Sequence, residues 1–355
     1  MYYTYLKLDI LDMKLLIKRT LMCLSILLLT PFKVDAESKV DWGEFMARHD
    51  LVWTESPQAW HDGPFLGNGM LGTMVHQLDK QRLRISLGRA DVEDHKKGGA
   101  PFIAQSRLPN GYFTLNTLGE IEGFEGRLDL YNAESRMKIT TDKGSITIRA
   151  IVHSDDMVIV YQCVPSAGES AMKLEFVPLK AIAPARLQAE ENVKRLGEKA
   201  HVSRKSWASA PYEYNPDPVL SEIESYQTSR QLLVAGGETG TAWSIKKGEN
   251  SEQELRVSIE HSFPEQTATK DAIAHLKSVE GESFESLIKS HRVWWHQYYP
   301  KSFISLDDTR MESFYWIQVY KFGSGARKGR AFMDTMGPWI VENTARIHPY
   351  MSALF

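Results

Sequence analysis

The sequence is poor in cysteine, lacks an excess of positive charge and contains no long hydrophobic run. Two cysteines in 355 residues exclude a disulfide framework and a four-cysteine metal site. The 42 basic and 45 acidic side chains give a net charge of −3, which argues against a protein built to neutralise nucleic-acid phosphates. No apolar run reaches the length of about 20 residues that a membrane span requires. The hydrophobic share of 43% and the charged share of 25% are those of a globular protein.

The first 36 residues have the pattern of a secretory signal peptide. A positively charged segment at residues 14–19 precedes an apolar run at residues 21–30, and Val34-Asp35-Ala36 offers small residues for cleavage. We therefore expect residues 1–36 to be removed on export to the periplasm or cell surface of a Gram-negative bacterium. Cys163 is then the only cysteine of the mature chain, and its apolar neighbours predict a buried free thiol.

Residues 37–265 contain short strand-like segments, several of which alternate apolar and polar side chains, with turn residues between them. A spacing of about 8–12 residues predicts an antiparallel sandwich or barrel rather than β-α-β units. Asp142-Lys143-Gly144 is a typical hairpin turn, because glycine accepts the positive φ that such a turn needs. Residues 184–218 interrupt the pattern as a polar insertion. The predicted strands are residues 71–77, 82–87, 112–118, 126–131, 135–141, 145–152, 157–164, 172–177, 231–235, 241–246 and 254–260.

After residue 265 the pattern changes to a helical period. Residues 271–279 form a predicted short helix, and Ser283 can cap a second helix, in which His291 belongs to an apolar stripe. Asp307 or Asp308 can cap a third helix. We assign residues 266–304 to a helical linker and residues 305–355 to the start of a further helical region. In the third helix four side chains share one face: Met311, Phe314, Gln318 and Phe322.

The sequence contains no cofactor-binding or metal-binding motif in the structural context that such a motif requires. GNGMLG at residues 67–72 matches G-x-G-x-x-G, but a dinucleotide site needs a strand before it and a helix after it. Here a loop precedes and a strand follows, which indicates a tight backbone passage. His291 and His296 are five residues apart and point to different sides of a helix, whereas zinc pairs use i and i+4. We expect no cofactor and no metal.

Five residues are candidates for contacts to a ligand. Asp91, Asp94 and His95 belong to the charged segment DVEDH at residues 91–95, where paired carboxylates can support acid–base chemistry. The indole of Trp60 suits the face of a sugar ring, and a loop of a sandwich can present Asn68 to sugar hydroxyls. The structural alternatives are a solvated loop for the charged segment and packing in the core or an interface for the tryptophan.

Three segments resemble glycoside hydrolase family 95, which includes bacterial α-L-fucosidases. VWTE at residues 52–55 and PFLGNGMLGTMV at residues 64–75 are similar to the Trp-containing strand and the P-L-G-N-G-x-L-G-A-M-V segment that open this family. DTMGPW at residues 334–339 resembles the entry into its catalytic domain. The resemblance spans about residues 51–344. It implies an N-terminal super-β-sandwich over residues 37–265, a helical linker and an (α/α)6 barrel that starts within residues 305–355.

The resemblance ends where the active site of the family would begin. The family continues with Trp/Pro-rich sequence, an Asn-x-Asn segment that carries active-site asparagines, and later a general-acid Glu and an Asp. This chain continues with ARIHPYMSALF at residues 345–355. None of the catalytic residues of the family has a counterpart here, so we assign no catalytic residue. We expect a frameshift or premature stop near Thr344.

Two functions are consistent with these observations. The chain is either the N-terminal part of an exported, α-L-fucosidase-like glycoside hydrolase or a non-catalytic module that binds carbohydrate or has a structural role. The resemblance implies inverting hydrolysis of glycans, in which a carboxylic acid protonates the leaving oxygen while water attacks the opposite face. Without the barrel we expect the chain to be inactive by itself. The partner in either case is an oligosaccharide or polysaccharide; a third possibility is a non-functional fragment with an exposed apolar face.

Overall fold

The computed structural model describes residues 40–97, 106–331 and 336–339, which contain fourteen β-strands and six α-helices. The predicted signal peptide lies outside the described residues. The strands are β1 (Leu51–Trp53), β2 (Phe65–Gly67), β3 (Leu71–Asp79), β4 (Arg82–Arg89), β5 (Tyr112–Asn116), β6 (Ile121–Asp129), β7 (Glu134–Thr141), β8 (Gly144–Val152), β9 (Ile159–Pro165), β10 (Lys173–Val177), β11 (Val219–Ile223), β12 (Tyr226–Leu232), β13 (Glu238–Lys247) and β14 (Gln253–Ser262). The helices are α1 (Trp42–Ala47), α2 (Pro184–Leu196), α3 (Val202–Ser209), α4 (Ala268–Ser278), α5 (Phe284–Tyr298) and α6 (Thr309–Gly325).

The strands form two antiparallel sheets. One has nine strands in the order β1-β6-β7-β8-β9-β14-β13-β12-β11, and the other has five in the order β10-β5-β4-β3-β2. In β7 the side chains of Met137 and Ile139 are buried while that of Lys138 is exposed, which is the alternation of a strand with one face on the core. Thr141 pairs with Gly144 across the turn between β7 and β8. The hairpin predicted at Asp142-Lys143-Gly144 is therefore confirmed.

The two sheets pack face to face. The indole of Trp243 on β13 lies 5.6 Å from the ring centroid of Phe113 on β5 and 4.4 Å from that of Phe176 on β10. Thr73 Oγ1 of β3 and Tyr161 OH of β9 form a buried hydrogen bond of 2.8 Å between the sheets. The predicted mainly β, antiparallel sandwich is confirmed, and no closed barrel occurs among the described strands.

Helices α4 and α5 cover the opposite face of the nine-stranded sheet. Ile151 on β8 and Val160 on β9 belong to one buried cluster with Leu276 of α4 and Leu287 of α5. Full burial of each such side chain contributes about 1.5–3 kcal/mol. The middle of the nine-stranded sheet is thus buried on both faces. Among the described residues no helix is long and apolar enough to cross a membrane.

The structure confirms the predicted helix caps. The hydroxyl of Ser283 accepts a hydrogen bond from the amide of Ser286 at the start of α5. The carboxylate of Asp308 accepts hydrogen bonds from the amides of two residues in the first turn of α6. His291 lies in the buried stripe of α5, as predicted, and burial lowers the pKa of His291 to about 3. The ring is therefore neutral at physiological pH.

Helix α6 is apolar on two faces, of which only one is covered by the residues that the structure describes. Trp316 and Tyr320 are fully buried against the rest of the protein. Met311, Phe314 and Phe322 lie on the other face and are 55%, 59% and 57% exposed. Large apolar side chains exposed in a row are typical of a surface that packs against another partner.

The insertion and the strand after it differ in how well the sequence predicted them. The polar segment after Pro184 forms α2 and α3, whereas strand β11 was not predicted. All five residues of β11 are exposed, because it is the edge strand of the nine-stranded sheet and pairs only with β12. An edge strand without a buried face shows no alternation, so its sequence carries no strand signal.

Cys163 on β9 is a free and buried thiol, as predicted. Its strand lies between β8 and β14, inside the nine-stranded sheet. Burial raises the pKa of Cys163 to about 12. The thiolate, which is the reactive form of cysteine, is therefore absent at neutral pH, and this side chain is a packing residue.

A buried carboxylate joins helix α5 to the nine-stranded sheet. Glu134 accepts hydrogen bonds from Arg136 (3.0 Å), Arg149 (2.8 Å) and Arg292 of α5 (2.7 Å). Burial by itself raises the pKa of Glu134, but the hydrogen bonds from the three guanidinium groups outweigh it and lower the pKa to about 2. The carboxylate is therefore ionised at all physiological pH values and binds three guanidinium groups at once.

Replacing Glu134 tests this ion cluster. We expect Glu134→Gln to lose about 3 kcal/mol of unfolding free energy at pH 7, because the loss of one partner from a buried ion pair is strongly destabilising. The pKa of Glu134 is lower in the folded than in the unfolded state, so this contribution is present above pH 4.5 and is lost as the pH falls toward 2. Urea unfolding at pH 7 and pH 3 measures the difference, which should shrink at pH 3.

The exposed Glu125 of β6 provides the matched control. Glu125→Gln should change the unfolding free energy by less than about 0.5 kcal/mol at either pH. An equal difference between wild type and Glu134→Gln at pH 7 and pH 3 would contradict the assignment.

Candidate functional site

The glycine-rich segment at residues 67–72 is a close passage between the five-stranded sheet and the last described residues. Gly69 has φ of 85° and its amide donates to Ser324 O at 2.7 Å. A Cβ on Gly67 would lie 2.5 Å from Ser324 O, and one on Gly72 would lie 2.8 Å from Pro338 Cγ. The segment leads into strand β3 at residue 71 and not into a helix, so it offers no helix N-terminus that could bind the phosphate of a dinucleotide. The tight backbone passage predicted from the sequence is confirmed.

Trp60 lies beside this passage. Trp339 donates from Nε1 to Leu66 O at 2.8 Å and packs on Met74, with Trp60 and Phe65 partly buried against the same cluster. Trp60 itself stands in a short 3-10 turn and keeps part of its indole exposed. Its position corresponds to the packing alternative and leaves part of the ring available to a ligand.

Asn68 is placed inside the protein. Its side chain is fully buried, Oδ1 accepts from the amides of Met70 (3.0 Å) and Leu71 (2.9 Å), and Nδ2 donates to the carbonyl of His153 at 2.9 Å. These bonds shape the passage and tie it to the loop at residues 153–156. A contact from Asn68 to a sugar hydroxyl would require some of them to break.

Two arginines after α6 fix the same loop. Arg327 donates to Ser154 O at 2.8 Å and to Gly323 O at 2.8 Å, and its guanidinium carbon lies 3.4 Å from the ring centroid of Trp294. Arg330 donates to the carbonyls of Asn68 and Ser154. Burial lowers the pKa of Arg327 to about 9, which still leaves the guanidinium charged at pH 7. Both side chains bind backbone oxygens and so act as structural clamps.

A Ser-His-Asp arrangement occurs at the interface of this loop with α5. Asp156 Oδ2 lies 3.0 Å from His153 Nδ1, and His153 Nε2 lies 2.9 Å from Ser290 Oγ. However, the hydroxyl of Ser290 donates to carbonyls of its own helix, Ser286 O at 3.2 Å and Leu287 O at 3.1 Å, so its oxygen accepts a hydrogen bond from Nε2 of the neutral histidine. Burial lowers the pKa of His153 and favours that neutral form. His153 therefore donates to Ser290 and cannot take its proton, so the geometry fastens α5 to the loop.

Asp91 belongs to an ion cluster centred on Arg89, at one end of the sandwich. Arg89 binds both carboxylate oxygens of Asp91, at 2.6 and 3.0 Å, and donates from Nη1 to Glu260 Oε1 at 2.7 Å. His275 Nε2 lies 3.1 Å from the same oxygen of Glu260. The cluster connects β4 of the five-stranded sheet to β14 and α4. Of the two carboxylates that bind Arg89, that of Asp91 is the more exposed, at 30% of its side chain against 12% for Glu260.

His95 pairs with a second histidine next to this cluster. His95 Nε2 and His261 Nε2 are 2.7 Å apart, and His261 Nδ1 lies 3.1 Å from Thr239 Oγ1. The ring of His95 also stacks on Phe263, with 4.0 Å between the centroids. Burial lowers the pKa of His261 to about 4, so the ring of His261 is neutral at neutral pH and can take part in one hydrogen bond through its Nε2 atom.

Asp94 is fully buried and binds residues of the polar insertion. Its carboxylate accepts from Lys96 (2.6 Å), Tyr212 OH (2.9 Å) and Asn215 Nδ2 (2.9 Å). Asn215 in turn donates to Ala181 O at 2.8 Å. The carboxylate thus holds the extended segment after α3 against the sandwich. The structure brings Asp91 and His95 to a partly exposed surface, whereas Asp94 and Asn68 are enclosed by protein.

The sequence reasoning did not identify Arg89, Glu260 and His261. Arg89 and Glu260 are 171 residues apart, and His95 and His261 are 166 residues apart. The one local signal for these residues is that charged and histidine side chains lie near the ends of strands. Functional residues are common there, because loops begin at strand ends. For metals, no group of three or more His, Cys, Asp or Glu with suitable geometry occurs in the part of the chain that the structure describes.

Comparisons with known proteins give only distant similarities. No family profile matches the sequence, and no curated protein matches it. A solved protein described as a kojibiose phosphorylase from the human microbiome has a TM-score of 0.48 and 15% identity, over 74% of this chain and 36% of that chain. A family GH92 α-mannosidase from Bacteroides thetaiotaomicron has a TM-score of 0.35 and 9% identity, over 80% of this chain and 40% of that chain.

The chain spans well under half of the length of these solved proteins. Neither neighbour is described as a family 95 enzyme. The two structures therefore add nothing to the resemblance to family 95 that the sequence shows. With TM-scores below 0.5, the similarities do not by themselves define an activity for this chain.

The histidine pair predicts a pH dependence of stability. The folded-state pKa of His261, about 4, lies below its ordinary value of 6.5, so the unfolded chain binds the extra proton first. The stability is therefore complete above pH 6.5 and falls as the pH decreases toward 4. We expect this group to cost about 2 kcal/mol between pH 7 and pH 5, and His261→Gln to lose less stability over that interval. Urea unfolding at the two pH values measures this.

His61, which is exposed, serves as the control. His61→Gln should retain the full wild-type pH dependence. If His261→Gln also loses as much stability as the wild type between pH 7 and pH 5, His261 is not the buried neutral histidine described above.

Proposed function

We propose that this chain is the N-terminal β-sandwich module of an exported glycoside hydrolase that resembles α-L-fucosidases of family 95. Its role is to carry and position a helical catalytic domain and to form part of the rim of the glycan site. The catalytic acid and base come from that domain. The chain by itself is then inactive in glycan hydrolysis.

One observation carries this proposal. The segments that support the resemblance, residues 64–75 and 334–339, are about 260 residues apart in sequence, yet Trp339 donates to Leu66 O and a Cβ on Gly72 would meet Pro338. The segment that resembles the opening of the sandwich and the segment that resembles the entry into the catalytic domain are therefore in direct contact. Such a contact is expected if the sandwich packs on a barrel through its glycine-rich passage.

The exposed face of α6 supports the same architecture. Met311, Phe314 and Phe322 form a row of apolar side chains on the face opposite the buried Trp316 and Tyr320. A helix with two apolar faces fits between a sandwich and further helices, since one face cannot satisfy both. We therefore propose α6 as the first helix of an (α/α)6 barrel.

The rim of the glycan site is proposed at Trp60, Asp91 and His95. These are the predicted site residues that keep part of their side chains exposed. An indole can stack on a sugar ring, and a carboxylate and an imidazole can bind sugar hydroxyls. Arg89 and His261 already hold the side chains of Asp91 and His95 in place, so binding a sugar would cost little side-chain entropy at these two residues.

The test compares two forms of the gene product. The DNA around the codon of Thr344 and beyond is sequenced in all three frames, and any continuation with Trp/Pro-rich sequence and an Asn-x-Asn segment is expressed in frame. We expect this extended protein to hydrolyse 4-nitrophenyl α-L-fucoside or a related aryl glycoside. The 355-residue chain should release 4-nitrophenol no faster than buffer.

Two outcomes would contradict the proposal. Turnover of the aryl glycoside by the 355-residue chain would place catalytic residues within it. No continuation in any frame, together with glycan binding by the chain that is lost in Trp60→Ala, would favour the non-catalytic carbohydrate-binding module instead.

A further inference from the structure

One part of the sandwich interior is polar. Ser229 pairs across the strands with Thr241, and Gln231 pairs with Thr239, so all four lie on the inner face of β12 and β13. This is the face on which Trp243 contacts the five-stranded sheet. Each of the four is at most 7% exposed. Burial of polar groups without partners is costly, so an inner face of this kind needs hydrogen-bonding partners.

Asn110, on the loop before β5, faces the same region. Its side chain is 8% exposed, and neither Nδ2 nor Oδ1 has a hydrogen-bond partner among the described residues. Gln231 uses Nε2 to donate to Pro216 O and Leu232 O, but its Oε1 has no partner there either. Two buried acceptors and one buried donor of these side chains thus have no hydrogen-bond partner in the described part of the chain. Each such group costs about 1–3 kcal/mol when nothing binds it.

These side chains line one small cavity between the sheets. Its volume is about 10 Å³, which matches the roughly 10–15 Å³ that one water molecule needs. Val92, Leu108 and Leu179 complete the wall, and no charged side chain lines the cavity. The site is therefore suited to a neutral guest of water size that both donates and accepts hydrogen bonds, and not to an ion.

We infer that this cavity is a specific binding site for a single water molecule that bridges Asn110 and Gln231 and so joins the loop before β5 to strand β12. The water accepts a hydrogen bond from Asn110 Nδ2 and donates one to Gln231 Oε1. A buried water of this kind typically makes about three hydrogen bonds, and the hydroxyls of Ser229 and Thr241 offer further partners.

The residues around the cavity give the bridge a structural role. Ala181 and Pro218 line the cavity, and Ala181 is held by Asn215, which Asp94 fixes. The loop of Asn110 also carries Arg107, which donates to Arg89 O at 2.7 Å. The bridging water therefore secures the loop that supports the Arg89 ion cluster.

A crystal structure of the wild-type chain tests the inference directly. We expect one spherical density peak within about 3.2 Å of both the Asn110 side-chain amide and Gln231 Oε1. A cavity without density would overturn the inference. Elongated density would also overturn it, because it would show that the site takes a larger hydroxyl-bearing molecule and not a water.

Asn110→Leu provides a second measurement. This substitution removes the donor and displaces the water, which leaves Gln231 Oε1 unpaired, so we expect the melting temperature to fall by roughly 2 °C or more. In a dry cavity the same substitution removes two unpaired polar groups, and the melting temperature should rise. Asn192→Leu, at a partly exposed position of α2, is the control and should shift the melting temperature by less than about 1 °C. An increase for Asn110→Leu would refute the bridge.

Discussion

The close approach of the chain at residues 67–72 to the residues after α6 is the constraint on which the rest of the structure depends. Only a residue without a Cβ fits at Gly67 and Gly72, because the backbone of Ser324 and the rings of Pro338 and Trp339 occupy that space. This approach places α6 on the edge of the sandwich, and Arg327 and Arg330 then reach the carbonyls of the loop at residues 153–156. The exposed apolar face of α6 follows from that placement.

The sequence was informative where structure is decided locally. Hairpin turns, the caps Ser283 and Asp308, and the alternating burial of a strand such as β7 depend on neighbours a few residues away, and these predictions were confirmed. Strand β11 was missed because an exposed edge strand is fixed by backbone pairing and carries no apolar alternation. The polar partners of the candidate residues could not be predicted, because they are distant in sequence: Arg89–Glu260 joins strands of the two sheets, and His95–His261 joins the loop after β4 to β14.

The polar residues divide into those that complete the fold and those that remain available. Asn68, Asp94 and Glu134 are fully buried, and each organises several donors around a single side chain. Asp91 and His95 are instead held by one strong partner each and keep part of their surface in solvent. This difference is what makes the Arg89 end of the sandwich the proposed rim, although the motif at residues 67–72 carries most of the sequence resemblance.

Hydrogen–deuterium exchange on Gly72→Ala tests the central constraint most directly. The added methyl group would lie 2.8–2.9 Å from Pro338 and Trp339, whereas the same change at Gly123 of β6 meets nothing closer than 3.5 Å. We predict faster exchange at residues 323–331 and a loss of about 1–3 kcal/mol of unfolding free energy in Gly72→Ala, with wild-type exchange in Gly123→Ala. Equal protection of residues 323–331 in the two variants would contradict the account.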